Sequence, residues 1–458
     1  MQNIVLEKPY VFVPPCHGNL WPKLLHRILP RYLDRSHGVV SVELAGADLL
    51  RDSLRAGHGV MLAPNHSRPC DPMVLGMLAA SLRTSFYVVA SRHLFEESRL
   101  QKFLLRRAGA FSIYREGMDR EALKCSVQIL TDARKPLVLF PEGVISRTNS
   151  RLNHLMDGTV FIARTAAKQR AALVPPGKVV VHPIAIRYFF EGDVQQTLAP
   201  VLEKIERRLS WQPQTSLPLV DRIYKVGDAL LTLKEIEYFG QPRPCELRQR
   251  LDTLIDHLLV PLETEWLKGT RDPSVTARVK NLRTAILPDM IAREIDEPER
   301  ARRWRQLADL YLAQQLNFYP PDYFLPAPTP EKLLETVERF EEDLTDHVTL
   351  HRPIRATIEV CPPIEVPPAR ERGLETDPVM HAIRSALEPR IHPPRPPASV
   401  EGLAEIRYHQ MIELPPFSPP ERGHLGRSPS FHKVATIPHS TPIPDPFSRR
   451  DAKAQRFQ

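Results

Sequence analysis

Residues 63–72 read Ala-Pro-Asn-His-Ser-Arg-Pro-Cys-Asp-Pro and carry the most informative pattern in this chain of 458 residues. They follow a short apolar run at 59–63 and lead into a helical pattern over 72–82. His66 and Asp71 are separated by four residues, so a turn can bring the carboxylate onto the imidazole. Such a histidine is a competent general base, because the carboxylate fixes its tautomer and stabilises the imidazolium.

Taken alone, this segment has other interpretations. Asp71 before Pro72 is also typical of a helix N-cap. His66 is also consistent with a histidine that merely lies in a loop. His66 and Asp71 together are also consistent with two ligands of a metal ion. On the catalytic hypothesis no serine or cysteine nucleophile is needed, since the attacking hydroxyl belongs to the substrate.

Short apolar runs alternate with amphipathic patterns between residues 41 and 190. The predicted strands lie at 59–63, 86–90, 137–140 and 179–186, and the predicted helices at 72–82, 94–107, 119–132 and 157–168. This alternation is typical of an α/β layered domain. A functional site is then expected in the loops at the strand ends.

The rest of the chain differs in character. Helical stripes predict a mainly helical insertion over 191–350, in which no repeat is detected. Alternation over 353–366 predicts that residues 351–387 return to the sheet as a strand and a helix. Residues 1–40 are expected to form an amphipathic connecting segment, and the proline-rich residues 388–458 a disordered tail.

Two stretches, 20–31 and 94–107, interleave apolar with basic residues. Each is consistent with an interfacial helix on a membrane. Each is equally consistent with a helix packed on the domain with a solvated basic face. Pro22 and Pro30 are expected to keep the first helix short.

Net charge, cysteine content and hydropathy limit the kinds of partner and the cellular compartment that the chain can have. A formal net charge of +8 fits nucleic acid, an anionic membrane surface or phosphorylated small molecules. No nucleic-acid-binding motif is found, so no nucleic-acid partner is expected.

Five scattered cysteines without a Cys-x-x-Cys pair argue against disulfides or a zinc site and favour a reducing compartment. No apolar run approaches the roughly 18–20 residues of a spanning helix. We therefore expect a cytoplasmic protein without a transmembrane helix, peripheral at the membrane face.

Three later segments adjoin predicted strands. Residues 109–115 read Gly-Ala-Phe-Ser-Ile-Tyr-Arg, residues 140–147 read Phe-Pro-Glu-Gly-Val-Ile-Ser-Arg, and residues 181–184 read Val-His-Pro-Ile. Arginine is suited to holding phosphate in a fork, and Gly143 lets backbone approach a ligand. Arg115 is also consistent with a surface ion pair.

Together the four segments resemble the lysophosphatidic acid and glycerol-3-phosphate acyltransferase family. That family has four ordered blocks: Asn-His-x-x-x-x-Asp, Gly-x-x-Phe-x-x-Arg, Phe-Pro-Glu-Gly-Thr-Arg-Ser and a Val-x-Pro-Val-like block. The resemblance covers about 41–190. It implies transfer of a fatty acyl group from acyl-CoA or acyl-carrier protein to a hydroxyl of a glycerol phosphate or lysophospholipid acceptor. It also implies action in phospholipid biosynthesis at the membrane face, without a metal or other cofactor.

The resemblance implies a role for individual residues. His66 would deprotonate the acceptor hydroxyl, and Asp71 would orient His66. The implied substrate-binding residues are Asn65, Gly109, Phe111, Arg115, Glu142, Gly143, Ser146, Arg147 and Pro183.

Three blocks depart from the family pattern. Val144 and Ile145 stand where threonine and arginine are usual, so either Arg147 substitutes or the acceptor is not lysophosphatidate. Phe111 comes one position early, and Arg68 stands where serine is common. One alternative is therefore acylation of a lysolipid without phosphate. Another is a catalytically inactive lipid- or CoA-binding scaffold, which the helical insertion and the proline-rich tail suit and the intact His66 and Asp71 argue against.

Overall fold

A computed structural model describes residues 9–117, 119–292, 294–319, 322–324, 328–370, 376–392 and 404–406. All of them lie in one compact unit, Met1–Ile412. A second unit, Glu413–Gln458, lies outside the described residues, and so does most of the predicted disordered tail.

A nine-stranded sheet forms the centre of this unit. Its strands are β1 (Val39–Ala45), β2 (Gly59–Pro64), β3 (Tyr87–Ser91), β4 (Ala110–Ile113), β5 (Leu137–Val138), β6 (Val179–Phe190), β7 (Ile354–Val360), β8 (Ile364–Glu365) and β9 (Ala404–Ile406). The hydrogen-bonded order is β4-β3-β5-β2-β6-β7-β1-β9, with β8 beside β6. The first five strands in this order run parallel, so their carboxyl ends lie at one edge.

Thirteen α-helices accompany these strands in the described residues. They are α1 (Leu20–His37), α2 (Ala47–Arg55), α3 (Asp71–Ser81), α4 (Arg99–Ala108), α5 (Arg120–Asp132), α6 (Gly158–Ala171), α7 (Val194–Arg208), α8 (Leu219–Phe239), α9 (Leu247–Leu267), α10 (Val275–Ala292), α11 (Glu297–Asn317), α12 (Pro330–Thr345) and α13 (Pro378–Ile391). The predicted α/β fold is confirmed. Among the described helices, none is both long and apolar enough to span a bilayer.

The sheet is buried on both faces. Alternate β2 residues face opposite sides, and Val60 and Leu62 enter one apolar cluster while Met61 and Ala63 enter the other. All four side chains are almost fully buried. This two-sided packing fixes the carboxyl end of β2, where the predicted site begins.

Between β6 and β7, the part of the chain that the structure describes contains six helices, α7–α12. The chain then returns to the sheet, and β7 pairs antiparallel with β6 and parallel with β1. The strand predicted over 353–366 is thus observed as β7 and β8. Helix α13 ends at Ile391, inside the segment that the sequence assigns to the tail.

Helix α1 is longer than the sequence predicts. It spans 18 residues although both prolines lie within it. Pro22 occupies the first turn, where its missing N–H has no partner to lose. Pro30 is buried inside the helix, which continues to a left-handed cap at Gly38. The expectation of a short helix is therefore wrong.

The helix predicted over 94–107 is divided in the structure. Residues Arg92–Phe95 form a 3₁₀ helix, and α4 begins only at Arg99. Ser98 caps α4, because its hydroxyl accepts a hydrogen bond from the backbone N–H of Gln101 at 3.1 Å. This local cap restarts the helix within a continuous apolar pattern.

The helical insertion contains a repeat of 28 residues. Helices α8, α9 and α10 begin at positions 219, 247 and 275, and the fourth residue of each is an arginine. Each arginine pairs with a buried glutamate of the preceding helix. The pairs are Arg222–Glu206 at 2.8 Å, Arg250–Glu235 at 2.8 Å and Arg278–Glu263 at 2.6 Å.

The last two arginines bind a second acid as well, Asp228 for Arg250 and Asp256 for Arg278. In both cases the glutamate precedes the arginine by 15 positions and the aspartate precedes it by 22. The expectation that this segment lacks a repeat is therefore wrong. The repeat consists of a few charged residues that form ion pairs between successive helices. The periodicity of apolar residues therefore does not reveal it.

Candidate active site

The predicted dyad lies at the carboxyl end of β2. His66 Nδ1 is 2.8 Å from Asp71 Oδ2, in the loop between β2 and α3. The Asp71 side chain is fully buried, whereas the His66 side chain keeps 14 % exposure. The geometry is that of an accessible imidazole oriented by a carboxylate behind it.

Asp71 is not the N-cap of α3. The helix begins at Asp71 itself, with Cys70 at the cap position and no side-chain cap. The Asp71 carboxylate instead accepts the backbone N–H of Arg68 at 3.0 Å, in addition to its contact with His66. The capping interpretation of this residue is therefore wrong.

Tyr188 joins the dyad from β6, a contact that the sequence does not predict. Its hydroxyl lies 2.5 Å from Asp71 Oδ1, and the Cys70 thiol lies 3.4 Å from the same hydroxyl. Burial raises the pKa of Tyr188 well above its ordinary value, so the hydroxyl remains a donor. The available signal was the aromatic run Tyr188-Phe189-Phe190, which extends the strand pattern past residue 186.

Asn65 anchors the loop to β6. Its side-chain amide donates to Ile186 O at 3.0 Å and accepts from Ile186 N–H at 2.7 Å. The residue is almost fully buried, so the structure gives Asn65 a positioning role beside His66. Its predicted contact with substrate stays a prediction.

The turn after β5 holds the backbone of His66. Glu142 Oε1 accepts the His66 N–H at 2.8 Å, and Ser146 N–H donates to His66 O at 2.7 Å. The other Glu142 oxygen accepts the N–H of Asn153 at 3.1 Å. Burial raises the pKa of Glu142 to about 8, an effect that the two backbone donors oppose. The Phe140 ring stacks on the imidazole at 3.9 Å between centroids.

Gly143 and Arg115 meet beside this turn. Gly143 has φ +67°, and a Cβ there would lie 2.6 Å from Met156 Sδ. Arg115 Nη1 donates to Gly143 O at 3.0 Å. Arg115 is exposed, yet desolvation by the surrounding protein lowers its pKa. Glu116 opposes this effect, and Arg283 of α10 adds to it.

Helix α12 pairs with the arginines of the catalytic loops. Arg147 Nη2 lies 2.7 Å from Glu342 Oε1, and Arg68 Nη2 lies 3.2 Å from Glu338 Oε2. The guanidinium expected to replace the missing family arginine is thus already paired. A small pocket beside these contacts is lined by Ser67, Arg68, Pro69, Arg147, Glu335, Glu338 and Arg339.

Three other predicted residues lie in the packing of the sheet. Gly109 has φ +98°, and a Cβ there would lie 2.5 Å from Phe86 O. Phe111 is fully buried in the core. Pro183 is buried in β6, and its carbonyl accepts the N–H of Cys361 at 2.9 Å. The substrate contacts predicted for these residues stay predictions.

Residues 47–187 match the family model described as Acyltransferase. The matched span contains all four sequence blocks and the dyad at the end of β2. The predicted family resemblance is confirmed over these residues. No curated protein matches the chain.

The raised pKa of Glu142 predicts a pH-dependent stability. Because folding raises this pKa from 4.5 to about 8, its contribution is complete below pH 4.5 and is lost as pH rises through 8. Each pKa unit corresponds to about 1.4 kcal/mol. The free energy of unfolding of the native protein, relative to Glu142→Gln, should therefore fall between pH 5 and 8 in urea titrations.

The exposed Glu97→Gln variant is the control, and its difference from the native protein should not change in this range. A difference between the native protein and Glu142→Gln that is constant from pH 5 to 8 would contradict the prediction.

Proposed function

Because residues 47–187 form an acyltransferase domain, we propose that this protein transfers a fatty acyl group from acyl-CoA or acyl-carrier protein to a hydroxyl of a glycerol phosphate or lysophospholipid acceptor. The reaction is of the 1-acyl-sn-glycerol-3-phosphate acyltransferase type and serves phospholipid biosynthesis. The observation that carries the proposal is the contact of 2.8 Å between His66 and the fully buried Asp71.

The dyad supports a direct transfer. With its Nδ1 proton held by Asp71, His66 has a free lone pair at Nε2 to take the proton of the acceptor hydroxyl. The acceptor oxygen attacks the thioester carbonyl and forms a tetrahedral intermediate. Its collapse breaks the carbon–sulfur bond, and the thiolate takes the proton from the His66 imidazolium. The products are an ester and a free thiol.

Arg115 is the residue best placed to bind an acceptor phosphate. Among the described residues, no carboxylate lies within ion-pair distance of its guanidinium, so its charge is not neutralised by a direct partner. Arg115 is exposed and therefore accessible to an acceptor. Arg283 is paired with Glu116 at 3.4 Å, so Arg115 supplies the charge for a phosphate ligand here.

A lysolipid without phosphate is a second candidate acceptor. It is favoured by the ion pairs of α12, since Glu342 and Glu338 neutralise Arg147 and Arg68 next to the dyad. The Arg115 assay below separates the two acceptor classes.

Substitution of His66 tests the reaction. His66→Ala should lower kcat by about 10²–10⁴-fold, because the general base is lost. Purified protein is assayed with labelled acyl-CoA or acyl-carrier protein against glycerol phosphate and a panel of lysolipids. The control is His381→Ala, at an exposed histidine of α13. Undiminished product formation by a folded His66→Ala protein would refute the general-base assignment.

Substitution of Arg115 tests the acceptor class. Arg115→Ala should raise the KM of a phosphate-bearing acceptor about ten- to a hundredfold, as expected for loss of a charge-assisted hydrogen bond. The KM of the acyl donor should stay unchanged. Arg120→Ala, at an exposed position of α5, is the control. A native enzyme that uses only acceptors without phosphate would support the second candidate instead.

Helix α1 carries the surface best suited to a membrane. Its exposed apolar residues recur every four positions, at Leu20, Leu24, Ile28 and Tyr32. A row of exposed basic residues lies one position earlier, at Lys23, Arg27, Arg31 and Arg35.

Helix α4 extends this face with the exposed Leu100 and Phe103. The Trp21 and Phe103 rings meet at 5.3 Å, so the two helices are in contact. Apolar and basic rows side by side are typical of helices that lie on anionic bilayers. They support a peripheral position at the cytoplasmic membrane face.

Introduction of two charges tests this surface. Leu24→Glu/Ile28→Glu should reduce co-sedimentation with vesicles of one part anionic to three parts zwitterionic phospholipid by at least about tenfold, since apolar burial is lost. Leu233→Glu, an equally exposed leucine on α8, is the control. Equal binding of the double variant and the native protein would exclude α1 as the docking face.

A further inference from the structure

The two oxygens of the Asp71 carboxylate have separate partners. Oδ2 accepts from His66 Nδ1 at 2.8 Å and from the Arg68 N–H at 3.0 Å. Oδ1 faces the other way and accepts the hydroxyl of Tyr188 at 2.5 Å. The carboxylate therefore links an accessible imidazole to a buried phenol.

Tyr188 is itself held from several sides. Asn149 bonds both its backbone N–H, at 2.7 Å, and its carbonyl, at 2.8 Å. The Arg68 guanidinium covers the phenol ring at 5.5 Å from the centroid. The Cys70 thiol donates to the phenol oxygen, which leaves the phenol proton for Asp71. The Cys70 donor and the Asp71 acceptor thus determine where this proton lies.

We propose that Tyr188 is a positioning residue that fixes the Asp71 carboxylate and sets the basicity of His66. The inference rests on the proposed acyl transfer. A hydrogen bond to Oδ1 withdraws negative charge from the carboxylate and so weakens its hold on the imidazolium. His66 can then return its proton to the leaving thiolate more readily than a histidine that faces an unshared carboxylate.

Other charged groups face the same dyad. Glu142 bonds the backbone of His66, and Arg68 bonds Asp71 through its backbone and is paired with Glu338 of α12. Replacement of Tyr188 leaves these contacts in place. A change in His66 titration in that variant therefore reports the lost phenol hydrogen bond.

The test is Tyr188→Phe in the full-length protein. His66 titration is followed by NMR on selectively ¹³C-labelled histidine, with its signal assigned by its absence in His66→Ala. The midpoint should move upward by about half a pH unit or more, because the carboxylate regains its full charge. In the assay kcat should fall about tenfold with little change in KM, and the acidic limb of the kcat profile should move to higher pH.

Tyr238→Phe is the control, because it removes a partly buried tyrosine hydroxyl bonded to Asp309 at 2.7 Å in the insertion. It should leave the His66 titration unchanged. Cys70→Ala removes the thiol that donates to the phenol oxygen, so the phenol becomes a weaker donor to Asp71. The midpoint of the His66 titration should therefore move upward in this variant too, but by less than in Tyr188→Phe. This variant keeps the test available if Tyr188→Phe does not fold.

An unchanged or lowered midpoint in folded Tyr188→Phe would overturn the inference, and so would an equal shift in Tyr238→Phe. The NMR measurement does not depend on turnover. Absence of acyl transfer in the native protein would therefore refute the proposed function without affecting the measured role of Tyr188.

Discussion

The buried carboxylate of Asp71 is the interaction on which the site depends. A carboxylate without exposure is costly unless donors satisfy it, and three donors do so here. They come from the β2–α3 loop, through His66 and Arg68, and from β6, through Tyr188. Because these donors belong to different elements, β2, α3 and β6 must all be in place before the imidazole is oriented.

The insertion takes part in this assembly. Helix α12 pairs Glu338 with Arg68, and the same Arg68 covers the ring of Tyr188. Helix α10 places Arg283 3.4 Å from Glu116, next to the arginine of the second block. The surroundings of the dyad thus contain side chains, Arg283 and Glu338, that lie far from it in sequence. These contacts set the chain apart from a domain that carries only the four blocks.

The sequence predicts the parts of the site that depend on local spacing. Four residues between His66 and Asp71 suffice for their contact, and the strand before them follows from its apolar run. Tyr188 was missed because the predicted strand ended at residue 186, and a lone tyrosine in a strand has no local signature. The partners of Arg68 and Arg147 on α12 depend on how distant helices pack, which apolar periodicity does not encode.

The secondary structure, too, was predicted where one apolar face decides it and missed where other effects decide it. Helices with one apolar face are predicted well from the sequence. Two local effects nevertheless made the observed bounds of α1 and α4 differ from the predicted ones. A proline in the first turn did not end α1, and a serine cap divided the segment before Gly109. The repeat of α8–α10 escaped detection because its common positions are few and charged.

That repeat has a consequence for how the chain tolerates insertion and deletion. Loss of residues 247–274 would place Arg278 at the position that Arg250 now holds, 15 residues after Glu235 and 22 after Asp228. Every buried arginine would keep its acids, because the pairing depends only on the interval. The insertion is therefore modular. A change in its length by one 28-residue repeat would leave the arginine–carboxylate pairing of the helices intact.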